Sequence, residues 1–148
     1  MRLMGGDWQI KIGAVLAALM VSFSMAGPSV AADDVLAVEL NKFEDVDSGC
    51  RSFFLFRNRT EAPMEAFEMS LAILTSDGVI DRLLTIDAAP LPSGRTTLKL
   101  FEIPEIQCSA IGEVLLHDIA SCRPQNGEEM DCFAILELGS KTAAPLVK

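Results

Sequence analysis

Apolar side chains recur at every second position along much of this chain, and no other feature constrains its fold as strongly. In the clearest run, Phe67, Met69, Leu71 and Ile73 alternate with polar or small residues. A period of two places one side of an extended strand in a core and leaves the other side in solvent. No long stretch has the 3.6-residue period of a helix, so the pattern excludes α/β folds.

Seven strands are predicted, each bounded by turn-forming residues such as Asp77-Gly78 and Pro90–Gly94. They are Val35–Lys42, Cys50–Asn58, Phe67–Thr75, Val79–Asp87, Thr96–Phe101, Glu113–Ser121 and Cys132–Leu138. One helical turn is expected over Pro104–Ala110. Half-apolar sheets must bury their faces against each other, so the pattern predicts an all-β, immunoglobulin-like antiparallel β-sandwich. A small antiparallel barrel is the alternative.

Residues 1–32 have the layout of a cleavable secretory signal peptide. A basic start precedes the apolar run Ile12–Phe23, and small residues lead to a cleavage position after Ala31 or Ala32. The apolar run is shorter than the roughly 20 residues that a membrane-spanning helix needs. An uncleaved anchor is the alternative, and the small residues before the cleavage position favour cleavage.

Cleavage would leave one β-sandwich domain over residues 33–138 and a C-terminal tail over residues 139–148. Leu146 and Val147 are the two tail residues able to dock on the domain. No second apolar segment follows the signal peptide, so we expect no stable membrane span after cleavage. The expected location is the periplasm or the exterior of the cell.

All four cysteines lie in the exported part, and an even number of them in such a chain predicts disulfides. In a seven-stranded sandwich the second and fifth strands are antiparallel neighbours, which brings Cys50 close to Cys108. A hairpin of the last two strands would bring Cys122 close to Cys132. We therefore predict the disulfides Cys50–Cys108 and Cys122–Cys132. A redox or metal site is the alternative, but no C-x-x-C motif supports it.

The charge is strongly acidic, with a formal net charge of −9 for the full chain. Loss of residues 1–32 removes Arg2, Lys11 and Asp7, which changes the net charge to −10. Such a surface repels phosphate backbones and anionic lipid headgroups, so we expect no nucleic-acid partner.

The one histidine, His117, is followed by Asp118 and then by Ser121. Neighbours in a strand point to opposite faces, and residues four apart are separated by about 13 Å. This spacing disfavours a nucleophilic triad of these three residues. One of His117 and Asp118 is expected to face inward or to lie at an edge. We predict no catalytic site and no enzyme activity.

Two acidic segments are candidate cation ligands. The ligands would be Asp45, Asp47, Glu128, Glu129 and Asp131, with Asn126 beside the last three. Asp45–Gly49 resembles the opening of a calcium loop but lacks its third acidic ligand and its distant glutamate. A turn and a solvated acidic loop explain these residues better, so we predict no metal and no cofactor. Asn58-Arg59-Thr60 matches a glycosylation sequon, and a turn is the preferred interpretation there too.

Several short motifs are similar to those of a group of small exported alphaproteobacterial proteins, usually labelled only as Tat pathway signal sequence domain proteins. The matching residues are Leu40–Lys42, Cys50-Arg51, Asn58, Asp77–Ile80, Ala89–Thr96, Phe101, Cys108, Ile111-Gly112, Leu115–Asp118 and Cys122. The resemblance covers Leu40 to Cys122 and concerns turns, cysteines and strand residues. It implies a fold and no activity. The chain lacks the paired arginines of the twin-arginine route.

Two functions are compatible with these observations. The first is a non-catalytic periplasmic interaction or envelope accessory module that docks an envelope protein, because edge strands invite the addition of a partner strand. Its candidate surface is formed by Gly112–Ser121, Cys132–Leu138 and their acidic connecting loop. The second is a carrier of a small ligand or a cation, using the acidic residues named above.

Overall fold

The computed structural model describes residues 34–148, which form two four-stranded β-sheets packed face to face. The strands are β1 (Leu36–Val46), β2 (Gly49–Asn58), β3 (Met64–Thr75), β4 (Ile80–Asp87), β5 (Arg95–Pro104), β6 (Ile111–Pro124), β7 (Leu136–Ser140) and β8 (Leu146–Val147). Sheet I has the order β5-β2-β1-β7, and sheet II has the order β4-β3-β6-β8. The predicted β-sandwich is confirmed, and the two separate sheets exclude a closed barrel.

The core lies between the central strands of the two sheets. Phe54 and Phe56 of β2 face Phe67 of β3, and the rings of Phe56 and Phe67 meet edge to face with centroids 6.1 Å apart. All the even-numbered residues of β2 are buried, which is the alternation expected for a strand with one face in a core. Full burial of a side chain of this size contributes about 2 kcal/mol to folding.

The domain contains two disulfides, Cys50–Cys108 and Cys122–Cys132. Cys50 lies at the start of β2, opposite Ile103 of β5, and Cys108 follows shortly after β5 in a 3₁₀ turn. This is the β2–β5 neighbourhood expected from the sequence. The two disulfides agree with folding in an oxidising environment.

The prediction of a hairpin between the last two strands is wrong, although Cys122 and Cys132 do form a disulfide. Residues Phe133–Ile135 form a 3₁₀ turn, and β7 begins only at Leu136. β7 then pairs in parallel with β1 in sheet I, whereas β6 belongs to sheet II. Because β6 and β7 belong to different sheets, the chain between them crosses from one sheet to the other.

Residues 139–148 are not a tail, because they complete both sheets. β7 extends to Ser140, and β8 pairs in parallel with β6 through Val114–Leu146 and Leu115–Val147. Leu146 is buried in the core. The described domain therefore extends beyond residue 138 to include β8, which pairs with the edge of β6.

The helical turn expected over Pro104–Ala110 is shorter than predicted. Pro104 is the last residue of β5, and the 3₁₀ turn takes only Cys108–Ala110. Between them Glu105 has a φ of 57°, which ends the strand and redirects the chain. Within the described residues no helix is long and apolar enough to cross a membrane. The signal peptide predicted for residues 1–32 lies outside the described residues.

Candidate functional site

An apolar patch lies on the outer face of sheet I, away from the core. It consists of Phe53 and Leu55 of β2 and Leu98 and Leu100 of β5, and we call it the outer patch. Leu100 lies opposite Phe53 and Leu98 opposite Leu55, while 53% of Leu98 and 48% of Leu100 remain exposed. Large apolar side chains grouped on a solvent-facing surface are typical of a binding surface.

The phase of the β2–β5 ladder explains why these side chains form one surface. Glu105 donates its backbone N–H to the Ser48 carbonyl at 2.8 Å, so Ser48 and Glu105 are a hydrogen-bonded pair of the ladder. In an antiparallel ladder every second pair of opposite residues along the strands is hydrogen-bonded. The outer-patch pairs fall between them, in the positions where opposite side chains come closest. Cross-strand apolar pairs of this kind stabilise a sheet by roughly 0.2–1 kcal/mol each.

An ion-paired row borders the outer patch at one end. Arg51 of β2 lies 3.0 Å from the carboxylate of Glu102 and 3.5 Å from that of Glu44. The hydrogen bond to Glu102 raises the pKa of the Arg51 guanidinium. The same bond, with one from the Ser48 hydroxyl, lowers the pKa of the Glu102 carboxyl.

A second ion-paired row borders the other end. Arg57 lies 3.3 Å from the carboxylate of Glu39. The Asn41 amide and then Arg57 lower the pKa of the Glu39 carboxyl by hydrogen bonding to it. Between the two rows, the Lys42 ammonium lies 5.1 Å from the centroid of the Phe53 ring. The outer patch therefore has an apolar centre with a charged, locally balanced rim, which is the anatomy of a protein interface.

His117 and Asp118 are both exposed, and neither faces inward. They lie in the part of β6 beyond its pairing with β8, so the edge position is the expected alternative that the structure shows. Ser70 lies opposite Asp118 and Leu71 opposite Leu116, so His117 is an extra residue in β6. Such a β-bulge breaks strict alternation and lets two successive side chains face solvent.

The bulge brings His117 to a partner that the sequence did not reveal. The Nε2 atom of His117 lies 2.9 Å from the Ser70 hydroxyl of β3. Nucleophilic catalysis would also need a group that orients the ring and donors for an oxyanion. Asp118 instead accepts the Ile119 N–H at 2.9 Å, and among residues 34–148 no second hydrogen bond holds the imidazole.

The predicted cation ligands serve as local hydrogen-bond acceptors. Asp45 accepts the Cys108 N–H at 2.8 Å, and Asp131 accepts the Phe133 N–H at 2.9 Å. Glu129 accepts from the Ser121 hydroxyl at 2.7 Å and from the Cys122 N–H at 2.8 Å, and both bonds lower the pKa of its carboxyl.

Asp47 and Glu128 are exposed. Within the described part of the chain, no three His, Cys, Asp or Glu side chains are grouped closely enough to hold a metal ion.

One cavity between the two sheets of the described domain is too small for a small ligand. This cavity is lined by Phe54, Leu71 and Ile103 among others and has a volume of about 10 Å³. This is room for one water at most, whereas pockets for small molecules usually exceed about 300 Å³.

The Asn58-Arg59-Thr60 sequence forms a buried turn. The Asn58 amide donates to the carbonyls of Ala62 and Leu91, and its side-chain oxygen accepts both the N–H and the hydroxyl of Thr60. Only 1% of Asn58 is exposed. A glycan cannot be attached to this amide in the folded protein, which supports the turn interpretation.

The chain was compared with known proteins. No protein-family model matches it, and the comparison with curated proteins gave no significant match. Among solved structures it is similar to IrmA from Escherichia coli, with 12% identity and a TM-score of 0.54. The similarity covers 70% of this chain and 90% of IrmA. At this identity the likeness shows a common fold, and the resemblance to the exported alphaproteobacterial group stays a prediction.

Proposed function

We propose that this protein is a non-catalytic, exported interaction module that binds an envelope protein through the outer patch. The observation that carries the proposal is the outer patch itself, an exposed apolar centre bordered by ion pairs on a well-ordered sheet. Its four side chains project from two strands whose register has no irregularity. A rigid β-surface of this kind holds an apolar anchor in place without the entropic cost of ordering a loop.

Export is supported by two observations of different kinds. Both pairs of cysteines are disulfide-bonded, and disulfides persist in oxidising compartments. The first 32 residues have the composition of a signal peptide. We place the mature protein in the periplasm or outside the cell.

The proposal moves the docking surface away from the segments favoured by the sequence. β6 and β7 belong to different sheets and do not present the hairpin on which that choice depended. The acidic loop between them is used internally, through Glu129 and Asp131. The core of a protein interface is apolar and contains few charged residues. The outer patch of sheet I has this composition, and the acidic loop does not.

The test is cross-linking of the tagged full chain in its native envelope, followed by mass spectrometry of the captured proteins. The double variant Leu98→Ser/Leu100→Ser removes half of the outer patch. Leu83→Ser is the matched control, since 61% of Leu83 is exposed on sheet II. We expect a specific partner with the wild type and with Leu83→Ser, and at least a roughly tenfold lower yield with the double variant.

Two results would overturn the proposal. One is the absence of any specific partner with the wild type. The other is a partner captured equally well by the double variant, which would place its binding site elsewhere. Circular dichroism and thermal unfolding of each variant show whether the sandwich is intact.

A further inference from the structure

β5 is an edge strand of sheet I with an unused row of backbone hydrogen-bonding groups. The ladder phase set by Glu105 and Ser48 directs the N–H and C=O groups of alternate residues toward β2. The residues between them point these groups outward. They are Thr96, Leu98, Leu100 and Glu102. No group of residues 34–148 forms a hydrogen bond with the outward-pointing backbone of these four residues.

The other edges of the described sandwich carry features that discourage strand addition. β4 has a register shift near its start and charged residues along its length, including Asp81, Arg82 and Asp87. β7 has five residues and β8 has two. The part of β6 beyond β8 has two extra residues relative to β3, His117 and Ala120. Charges, bulges and short strands are the usual protection of sheet edges.

β5 differs from these edges in length and regularity, and its central Lys99 is the one protective charge between Thr96 and Glu102. Its ten residues pair with β2 without a register shift, and its single proline, Pro104, is the last residue. The unpaired N–H and C=O groups of a long, regular edge strand such as β5 can hydrogen-bond a further strand.

We propose that β5 pairs antiparallel with β5 of a second copy of this chain, so that sheet I continues across a two-fold axis. The axis passes beside Lys99, and Leu98 of each copy lies opposite Leu100 of the other. Thr96 of each copy then lies opposite Glu102. All four outward-pointing residues of both strands form hydrogen-bonded pairs, with about eight bonds across the axis.

The register follows from the strand itself. Only residues that point their backbone groups outward can form the hydrogen-bonded pairs, and a two-fold axis requires the partner set to be the same set. A shift by two residues would place Leu98 opposite itself or opposite Glu102, and one hydrogen-bonded pair would be lost. The proposed register keeps every pair and matches leucine with leucine.

The second copy is favoured over an unrelated strand because β5 is complementary to itself in hydrogen bonding and in apolar side chains. Lys99 opposite Lys99 is the one unfavourable pair. Each ammonium is already drawn away toward the carbonyl of Ala89 in its own copy, at 3.1 Å. The dimer also joins the two outer patches into one surface. The proposal thus goes beyond the function proposed above and does not depend on it.

Sedimentation of the purified, exported full chain tests the pairing directly. We expect a concentration-dependent dimer. Leu98→Pro removes an outward N–H that β2 does not use, so the edge loses a donor while the sandwich keeps its ladder. Leu98→Thr removes the apolar side chain and keeps the donor. We expect Leu98→Pro to raise the dimer dissociation constant at least about tenfold, and by more than Leu98→Thr does.

A cysteine pair tests the register independently of any folding defect caused by proline. Lys99→Cys places two thiols opposite each other at the axis, within disulfide distance. Thr97→Cys, on the same face of β5, places its thiols about 13 Å apart. We expect a disulfide-linked dimer on non-reducing gels with Lys99→Cys and not with Thr97→Cys.

A monomer at all concentrations, or equal cross-linking of both cysteine variants, would overturn the dimer. If the monomer still captured an envelope partner through the outer patch, the proposed function would stand without the dimer. If the chain dimerised through β5 and captured no partner, the reverse would hold. Capture of a foreign strand that Leu98→Pro abolishes and Leu98→Thr retains, with no dimer, would assign the β5 edge to another protein.

Discussion

At the scale of single residues, a small set of buried polar side chains forms a hydrogen-bonded network. Asn58 and Thr60 belong to the few buried polar residues of the described chain, and each of their side chains is hydrogen-bonded. A buried polar group is costly unless it is paired, so such a network accepts one arrangement of the chain. Here it joins the end of β2 to the loop before β3 and to Leu91.

We predict that Asn58→Ala lowers the free energy of unfolding by about 2–3 kcal/mol, since it leaves the Thr60 N–H and the Ala62 carbonyl buried without this partner. Asn41→Ala is the control, because the Asn41 amide binds Glu39 on the exposed surface. Its effect should stay within about 0.5 kcal/mol. Urea unfolding measures both values, and similar small losses for the two variants would contradict the role given to Asn58.

The same residue scale shows where sequence reasoning fails. The order Asn-Arg-Thr is identical in a glycosylation sequon and in this buried turn, so only burial distinguishes them. Likewise, the contact between His117 and Ser70 joins residues 47 positions apart. Local spacing carries no information on such a pair, because the strand register decides which side chains meet.

At the scale of elements, the C-terminal strands show that a short segment with little strand pattern of its own becomes a strand by pairing with its neighbours. β8 has two residues and would not be stable by itself. It forms because β6 offers it an edge and because the sandwich buries Leu146. Hydrogen bonds fix the segment that connects β7 to β8, because the Ser140 and Thr142 hydroxyls both donate to the Ala144 carbonyl.

We predict that Leu146→Ala destabilises the protein by about 2–4 kcal/mol, as for other buried leucines. Val147→Ala is the matched control, because Val147 is the next residue of β8 and is only partly buried. Its cost should be below about 1.5 kcal/mol. Chemical unfolding of both variants under the same conditions measures the difference. Equal and small losses would show that residues 141–148 do not belong to the cooperative unit.

At the scale of the whole molecule, charge opposes self-association and sheet continuity favours it. The chain carries a formal net charge of −9, so two copies repel each other at long range. The β5 edge itself carries Arg95, Lys99 and Glu102, and the favourable pairs expected across it are backbone hydrogen bonds and leucine contacts. Added salt therefore weakens the repulsion, whereas the hydrogen bonds and leucine contacts depend little on ionic strength.

We predict that added salt strengthens the dimer several-fold between low and physiological ionic strength, because screening reduces the repulsion and leaves the β5 contacts unchanged. The dissociation constant from sedimentation at increasing sodium chloride measures this. Arg57→Gln is a useful control, since it removes the rim ion pair with Glu39 of β1 and breaks no ion pair of β5. A dimer weakened by salt would instead indicate that ion pairs hold the copies together.

The sequence by itself determined the features that depend on near neighbours. Alternation placed Phe67 and Ile73 in the core, Asp77-Gly78 ended a strand, and the order of strands brought Cys50 near Cys108. Period and turn chemistry act within a few residues, so they can be derived without knowing the fold.

Only the tertiary structure decided which strands became neighbours. The parallel pairing of β7 with β1, the use of the last residues as β8 and the bulge at His117 all arise from long-range contacts. The outer patch and the free edge of β5 have the same origin. The sequence of a strand shows which of its faces is apolar. Its partner strand, register and exposed edge depend on how all the strands together bury their apolar faces and satisfy their hydrogen bonds.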